Sequence, residues 1–197
     1  FGLTGWGENL AFKGGTSLSK GWQLIDRFSE DIDVVISREF LGFVGETLSN
    51  NRQKKLVKTC SAAIHEKLLP ALEEHFRARI PTGEKWSLYP ASEEEDSDRQ
   101  TLLFEYPRVL GNDAAYIQPR VKIEMGARSA TEPVEFPSIQ PYICEALPDI
   151  TSDGKFAIRT VAARRTFWDK VMLLHEETYR PADRPAFKPR MARHYYD

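Results

Sequence analysis

The sequence predicts an α+β (mixed α/β) fold, a mixed sheet flanked by helices with a C-terminal helical part. Three observations carry this. Short β-branched runs interleave with helical stripes without a regular βαβ beat. One long stretch, residues 50–80, repeats apolar residues at helical spacing. A short apolar approach to a pair of glycines is followed at once by another helical pattern. The 197 residues, 41% hydrophobic and 28% charged, fit an ordinary globular protein able to bury a core without disulfides or metal. A net charge of −2 argues against a chain that coats nucleic acid by bulk electrostatics. No window approaches the ~20 apolar residues of a membrane span, and Cys60 and Cys144 show no disulfide pattern, so the protein is read as cytoplasmic with reduced thiols. The chain opens at Phe1 inside an apparently structured segment, so its natural N-terminus is expected upstream, and its last residues resemble the start of a helix.

The elements follow in order. Residues 11–13 form a short strand ending at Gly14-Gly15, and residues 16–25 form a helix with Leu18, Trp22 and Ile25 on one side. Residues 31–36 are β-branched and alternate, which favours a strand. The helix of residues 50–80 carries Leu56, Cys60, Ala63, Ile64, Leu68, Leu72 and Phe76 on one stripe, and Pro70 should kink or split it. Strands are expected at 85–88, 101–106 and 116–125, the first two separated by the acidic run Glu93, Glu94, Glu95, Asp96 and Asp98, which reads as a solvated loop. Residues 131–148 are proline-rich and irregular, 156–163 read as a strand, and 165–179 as an amphipathic helix bearing Phe167, Trp168, Val171, Met172, Leu173 and Leu174. Two parts are expected, a core over residues 1–163 and the start of a C-terminal helical region over residues 164–197.

Three features carry chemistry. The two glycines let backbone approach a ligand closely, and the helix start that follows offers free N–H donors to phosphate, with Thr16 or Ser17 adding a hydroxyl. Taken alone, such a turn is more often only a turn. Strand alternation projects Asp31 and Asp33 to one face while Ile32 and Val34 point to the other. That pair suits a hard cation such as Mg²⁺, which takes carboxylate oxygens and keeps sites for water and phosphate. It equally suits an exposed strand face with one acid paired to Lys20 or Arg27. In Arg120-Val121-Lys122-Ile123-Glu124-Met125, alternation sets Lys122 and Glu124 on one face. If this strand neighbours the first, Glu124 joins Asp31 and Asp33 in a cluster able to hold two metal ions, with Glu124 placed to help deprotonate an attacking hydroxyl. Otherwise it is a solvated Lys–Glu face.

Phe12-Lys13-Gly14-Gly15-Thr16-Ser17-Leu18-Ser19-Lys20 followed by Arg27-Phe28-Ser29-Glu30-Asp31-Ile32-Asp33 resembles the AbiEii/AbiGii family of nucleotidyltransferase-like toxins, relatives of the DNA polymerase β superfamily. The blocks around Glu124, Arg165-Thr166-Phe167-Trp168-Asp169-Lys170 and Arg193-His194-Tyr195-Tyr196-Asp197 extend the resemblance over nearly the whole chain. It implies a nucleotidyltransferase-type sheet and a glycine turn, Gly14, Gly15, Thr16, Ser17 and Lys20, that cradles a triphosphate. It further implies Asp31, Asp33 and Glu124 as metal ligands, and Lys170 and Asp197 as later motif residues that contact phosphate and complete the site. The implied activity is Mg²⁺-dependent transfer of a nucleotide from an NTP, GTP or a pyrimidine triphosphate, to an RNA such as tRNA or to a protein. The implied setting is a toxin of a bacterial type IV toxin–antitoxin or abortive-infection pair, whose cognate antitoxin, encoded nearby, need not touch it. Two rival readings stand beside this one: a non-catalytic NTP-binding regulator, and an interaction protein in which the aspartates form salt bridges.

The remaining conspicuous residues have plainer readings. His65, His75, His175 and His194 lack zinc-like spacing. Arg52, Lys54, Lys55 and Lys58 form a basic cluster at the start of the long helix, either a solvated face or a contact with an RNA backbone. Trp22 and Trp168 fit core stripes.

Overall fold

In the computed structural model, residues 5–26, 31–45, 48–108, 118–147, 149, 154–181 and 194 are described. Among the described residues, nine short strands and five α-helices make up the mixed α/β architecture that the sequence predicts, and the chain divides within strand β1 (Leu10–Lys13) into two units. The first comprises residues 1–11 and 30–131, the second residues 12–29 and 132–197.

The first unit is built around β2 (Asp31–Ile36), whose alternation sends Val34 and Ile36 into the core and Asp31 and Asp33 to the opposite face. Its strand order is β3 (Ser87–Pro90), β4 (Thr101–Glu105), β5 (Arg120–Gly126), β2, then the start of β1. β2 and β5 run parallel, whereas β3–β4 and β4–β5 are antiparallel. The expected strand over 85–88 is therefore shifted to 87–90, and Tyr116 of the expected strand over 116–125 lies outside the described residues.

One face of this sheet is covered by a helical run that starts at α2 (Asn50–Ala63), capped by the Ser49 hydroxyl accepting from the Arg52 N–H. The run widens to π-type winding over Ile64–Leu68 and continues as α3 (Leu69–Arg77). Pro70 explains the widening: it has no N–H to donate back along the helix, and the run absorbs the missing bond in the turn before it without breaking. Leu56, Cys60, Ile64 and Leu68 are at most 2% exposed and meet Val34, Ile36, Leu102 and Met125 in one cluster. Each such aliphatic side chain contributes about 1.5–3 kcal/mol by burial. Burial also pushes the Cys60 thiol up to about 12, with the field of Asp98 adding to it.

The acidic run is a loop with Glu93, Glu94 and Glu95 exposed, as expected, and it is braced as well. The Asp96 carboxylate accepts the N–H groups of Asp98 (3.0 Å) and Gln100 (2.7 Å), while Glu93, Glu95 and Asp98 pair with Arg99, Arg120 and Arg128. Burial alone would raise the Asp96 carboxyl, but its hydrogen bonds to Gln100, Thr101 and Asp98 outweigh that and hold it below the ordinary aspartate value.

In the second unit, Phe12 of β1 pairs in parallel with Thr160 of β9 (Thr160–Val161), which in turn pairs antiparallel with β6 (Val134–Glu135). β7 (Ser138–Ile139) and β8 (Phe156–Ala157) form a separate ribbon. The single strand expected over 156–163 is thus two, because 156–157 and 160–161 find different partners. β1 leads through Gly14, at φ +78°, into the short α1 (Gly14–Thr16) and a π-wound turn over Ser17–Gly21. The helical spacing predicts a helix that reaches Ile25. It stops at Gly21, where a Cβ would lie 3.1 Å from Pro137, and Gln23 turns left-handed at φ +52°.

Helix α4 (Tyr142–Ala146) occupies part of the proline-rich stretch. α5 (Ala163–Thr178) buries the stripe of Thr166 and Lys170 and exposes Phe167, Trp168, Met172 and Leu173, so Trp168, 60% exposed, is not the core residue its spacing predicts. The buried positions are chosen by which side of the helix meets the unit, and here that side is the polar one.

Two outcomes follow for stability. Asp96→Ala should lower stability by about 1–3 kcal/mol at neutral pH, read by urea unfolding. Because the folded carboxyl titrates below the unfolded value of about 3.9, the wild-type advantage is complete above that value and disappears as pH falls through the folded one; an undiminished gap at pH 2 would refute the brace. Gly14→Ala, which forces a side chain into a left-handed backbone, should cost about 1–2 kcal/mol, seen as a lowered Tm.

Candidate active site

The register of two parallel strands assembles the acidic face of the first unit. Asp31 lies beside Lys122 and Asp33 beside Glu124, so the four side chains share the face of the sheet opposite the core. Across β4, Thr101 is the partner of Glu124 and Leu103 that of Lys122. The face thus carries three carboxylates and one ammonium within two neighbouring strands. Neighbouring strands are about 4.8 Å apart, where two like charges repel by roughly 3 kcal/mol at an effective dielectric constant of about 20. An arrangement of this kind calls for a cation.

One is supplied internally. The Lys122 ammonium contacts the Glu124 carboxylate at 2.5 Å. Burial would lower the lysine's proton affinity, but the hydrogen bond to Glu124 and the fields of Glu124, Asp31 and Asp96 prevail and raise it above the ordinary lysine value. Lys122 is therefore a firmly charged member of the face. Further along the same face Tyr89 donates to Glu105 at 2.5 Å, and that bond, with burial and the Glu105 charge, raises the phenol.

The donor set fits a hard divalent cation of the Mg²⁺ class. Among the described residues no group of three or more His, Cys, Asp or Glu side chains converges as a ready metal site. Mg²⁺ does not require one: it binds through one or two carboxylates and completes its shell with water and substrate phosphate. Asp31 and Asp33 supply that pair from one strand face. Glu124, expected as a third ligand, is brought to the neighbouring position but is engaged by Lys122.

The glycine turn belongs to the second unit, and its residues are tied down by local bonds. Gly14 takes a backbone conformation that side chains rarely adopt, and Gly15 is buried behind it. Ser17 is fully buried, and its hydroxyl donates to the Gly14 carbonyl at 2.8 Å, so it braces the turn. Ser19 does the same one step on, donating to Thr16 O at 3.2 Å. Lys20, expected at a phosphate, contacts Glu145 at 3.1 Å and lies over the Tyr142 ring, both on α4. Lys170 is buried on α5, at 8% exposure, one turn from Thr166 and beside the Arg165–Asp169 ion pair. Arg27, Asp197 and the rest of that last motif except His194 lie outside the described residues.

Sequence reasoning placed Lys122 on the acidic face through simple alternation. The Lys–Glu face that alternation also allows is present as a direct contact between the two side chains.

Comparison with known proteins bears on the whole chain. A search of curated proteins gave no match. Among solved structures, MenT4, the nucleotidyltransferase toxin Rv2826c of Mycobacterium tuberculosis H37Rv, is similar at 20% identity and a TM-score of 0.43, over 85% of this chain and 46% of that one. The chain therefore spans about half the length of that protein. No helix among the described residues is long and apolar enough to cross a membrane. Residues 1–197 match throughout the family described as nucleotidyl transferase AbiEii toxin, type IV TA system. With the paired aspartates on their strand and the glycine turn before its helix, the chain belongs to the AbiEii nucleotidyl transferase toxin family of type IV toxin–antitoxin systems.

Proposed function

We propose that this chain transfers a nucleoside monophosphate from an NTP, GTP or a pyrimidine triphosphate, to a hydroxyl of an RNA, tRNA included, or of a protein, acting as the toxin of a pair whose antitoxin is encoded nearby. The observation that carries this reading is the placement of Asp31 and Asp33 on one strand face with Glu124 in register beside them. In this reading the backbone of Gly14, Gly15 and Thr16 receives the triphosphate, the Ser17 hydroxyl keeps that turn in shape, and Lys20 and Lys170 supply positive charge to it. Asp31 and Asp33 hold Mg²⁺, which when bound polarises the α-phosphate and neutralises charge building on it. Asp197 completes the site.

The acceptor hydroxyl oxygen forms a bond to the α-phosphorus while the bond from that phosphorus to the bridging oxygen of the β-phosphate breaks. Pyrophosphate leaves with the bond's electron pair. Glu124 takes the hydroxyl proton, for which its contact with Lys122 has to give way.

The test incubates the full-length protein with each α-³²P-labelled NTP, Mg²⁺ and total bacterial tRNA, and follows label on a gel. Label should pass to RNA or protein, and Asp31→Asn or Asp33→Asn should reduce it at least a hundredfold on the scale expected for loss of a principal electrostatic element. Glu124→Gln should reduce it by about 10²–10⁴ if it is the base. Undiminished transfer by either aspartate variant would end this reading. Mg²⁺-dependent NTP binding without any transfer would favour a non-catalytic regulator instead.

A further inference from the structure

A groove of about 840 Å³ lies wholly within the first unit, between α2, residues 97–99 and Arg128. Lys54 and Lys58 stand one turn apart on the side of α2 that faces it, and Ser61 and His65 continue that row. Arg99 and Arg128 line it as well, against only two carboxylates, Asp98 and Glu66. The groove is open and its lining is cationic and amide-rich, with Asn50 and Gln53 adding donors.

The wall opposite the helix is rigidly made. The Arg99 carbonyl accepts from Ser61 Oγ at 3.0 Å and lies 3.0 Å from His65 Nε2, and Gln100 donates to Val57 O at 3.2 Å. Asp96 holds the N–H groups on either side, at Asp98 and Gln100. These bonds keep Arg99 at φ +55°, a left-handed conformation a side-chain-bearing residue rarely adopts. Glycine would sit there without strain, yet the position carries an arginine, and strain of this kind clusters where it serves a function. Arg128 is fixed from behind, since Arg38 donates to the carbonyls of Ala127, at 2.8 Å, and of Arg128. Gln100 leads directly into β4, whose first residue, Thr101, is the register partner of Glu124. The segment that builds the groove therefore enters the sheet beside the acidic face.

We propose that this groove holds the phosphodiester backbone of an RNA, which on the reading of the preceding section is the acceptor. A row of cations along a helix and an open trough with hydrogen-bond donors match a chain of phosphates, which positions a nucleic acid without reading its bases. The net charge of −2 argues against coating by bulk electrostatics and not against a local groove in which Lys54, Lys58, Arg99 and Arg128 face Asp98 and Glu66.

The test is fluorescence anisotropy of a fluorescein-labelled RNA oligonucleotide with the full chain, at several salt concentrations and without NTP or divalent ion, so that it does not depend on transfer. Wild type should bind with affinity that falls steeply with salt. Lys54→Ala with Lys58→Ala, and separately Arg99→Gly, should each weaken binding about tenfold and reduce the salt slope by about one for each phosphate left without its cation. Arg99→Gly fits the left-handed backbone, so its Tm should be no lower than wild type and its weaker binding cannot be laid to unfolding. Parental affinity in these variants, absence of RNA binding by the wild type, or equal displacement of the RNA by polyglutamate would each overturn the proposal. RNA binding that needs these residues in a protein that transfers no nucleotide would keep the groove and remove the transfer reading. Transfer with parental RNA affinity in the variants would do the reverse.

Discussion

The register between β2 and β5 is the constraint on which the rest depends. In parallel strands that share one buried face, a slip of one residue would turn Asp31, Asp33 and Glu124 into the core and put Ile32, Val34 and Ile123 in their place. The apolar side, packed against Leu56, Cys60, Ile64 and Leu68, thus fixes the polar side without touching it. Fixing it has an electrostatic cost, because like charges are held in neighbouring positions, and Lys122 offsets part of that cost from within the same face. The hydrophobic core and the candidate chemistry are two consequences of one alternation.

The same logic extends to the segment that enters β4. Its acids are distributed among an internal cap at Asp96 and ion pairs to Arg99, Arg120 and Arg128. Exposed pairs of this type are worth little singly, whereas the two backbone N–H groups on Asp96 set the shape of the loop. That shape sends Arg99 into its unusual backbone conformation and ties its carbonyl to the long helix. A stretch whose composition resembles a solubilising tail is, by its hydrogen bonds, a structural part of the wall of a cationic groove.

Local chemistry was legible in the sequence and long-range choice was not. Alternation at Asp31 and Asp33 and at Lys122 and Glu124, and the glycine turn after β1, are patterns written within a few residues, and each stands where its period places it. The stripe of the long helix was equally readable, and so was the disturbance from Pro70, although its form as a widened turn was not. Lys20 meets Glu145 and Tyr142 across more than a hundred residues of chain, which no local pattern announces. α5 shows the limit of periodicity in another way: its apolar residues surround the helix broadly enough that the spacing does not single out the buried side, and Thr166 and Lys170 take it. The groove arises from residues within 50–66, 97–99 and 128, which only tertiary packing brings together.

The central claim is that Asp31 and Asp33 form one cation-binding face set by their strand. Mn²⁺ binding to the full chain, followed by electron paramagnetic resonance in the presence of a non-hydrolysable NTP analogue, tests it most directly. The account predicts saturable binding by the wild type and at least tenfold weaker binding in both Asp31→Asn and Asp33→Asn, each still folded by circular dichroism. Equal Mn²⁺ affinity in all three proteins would contradict it.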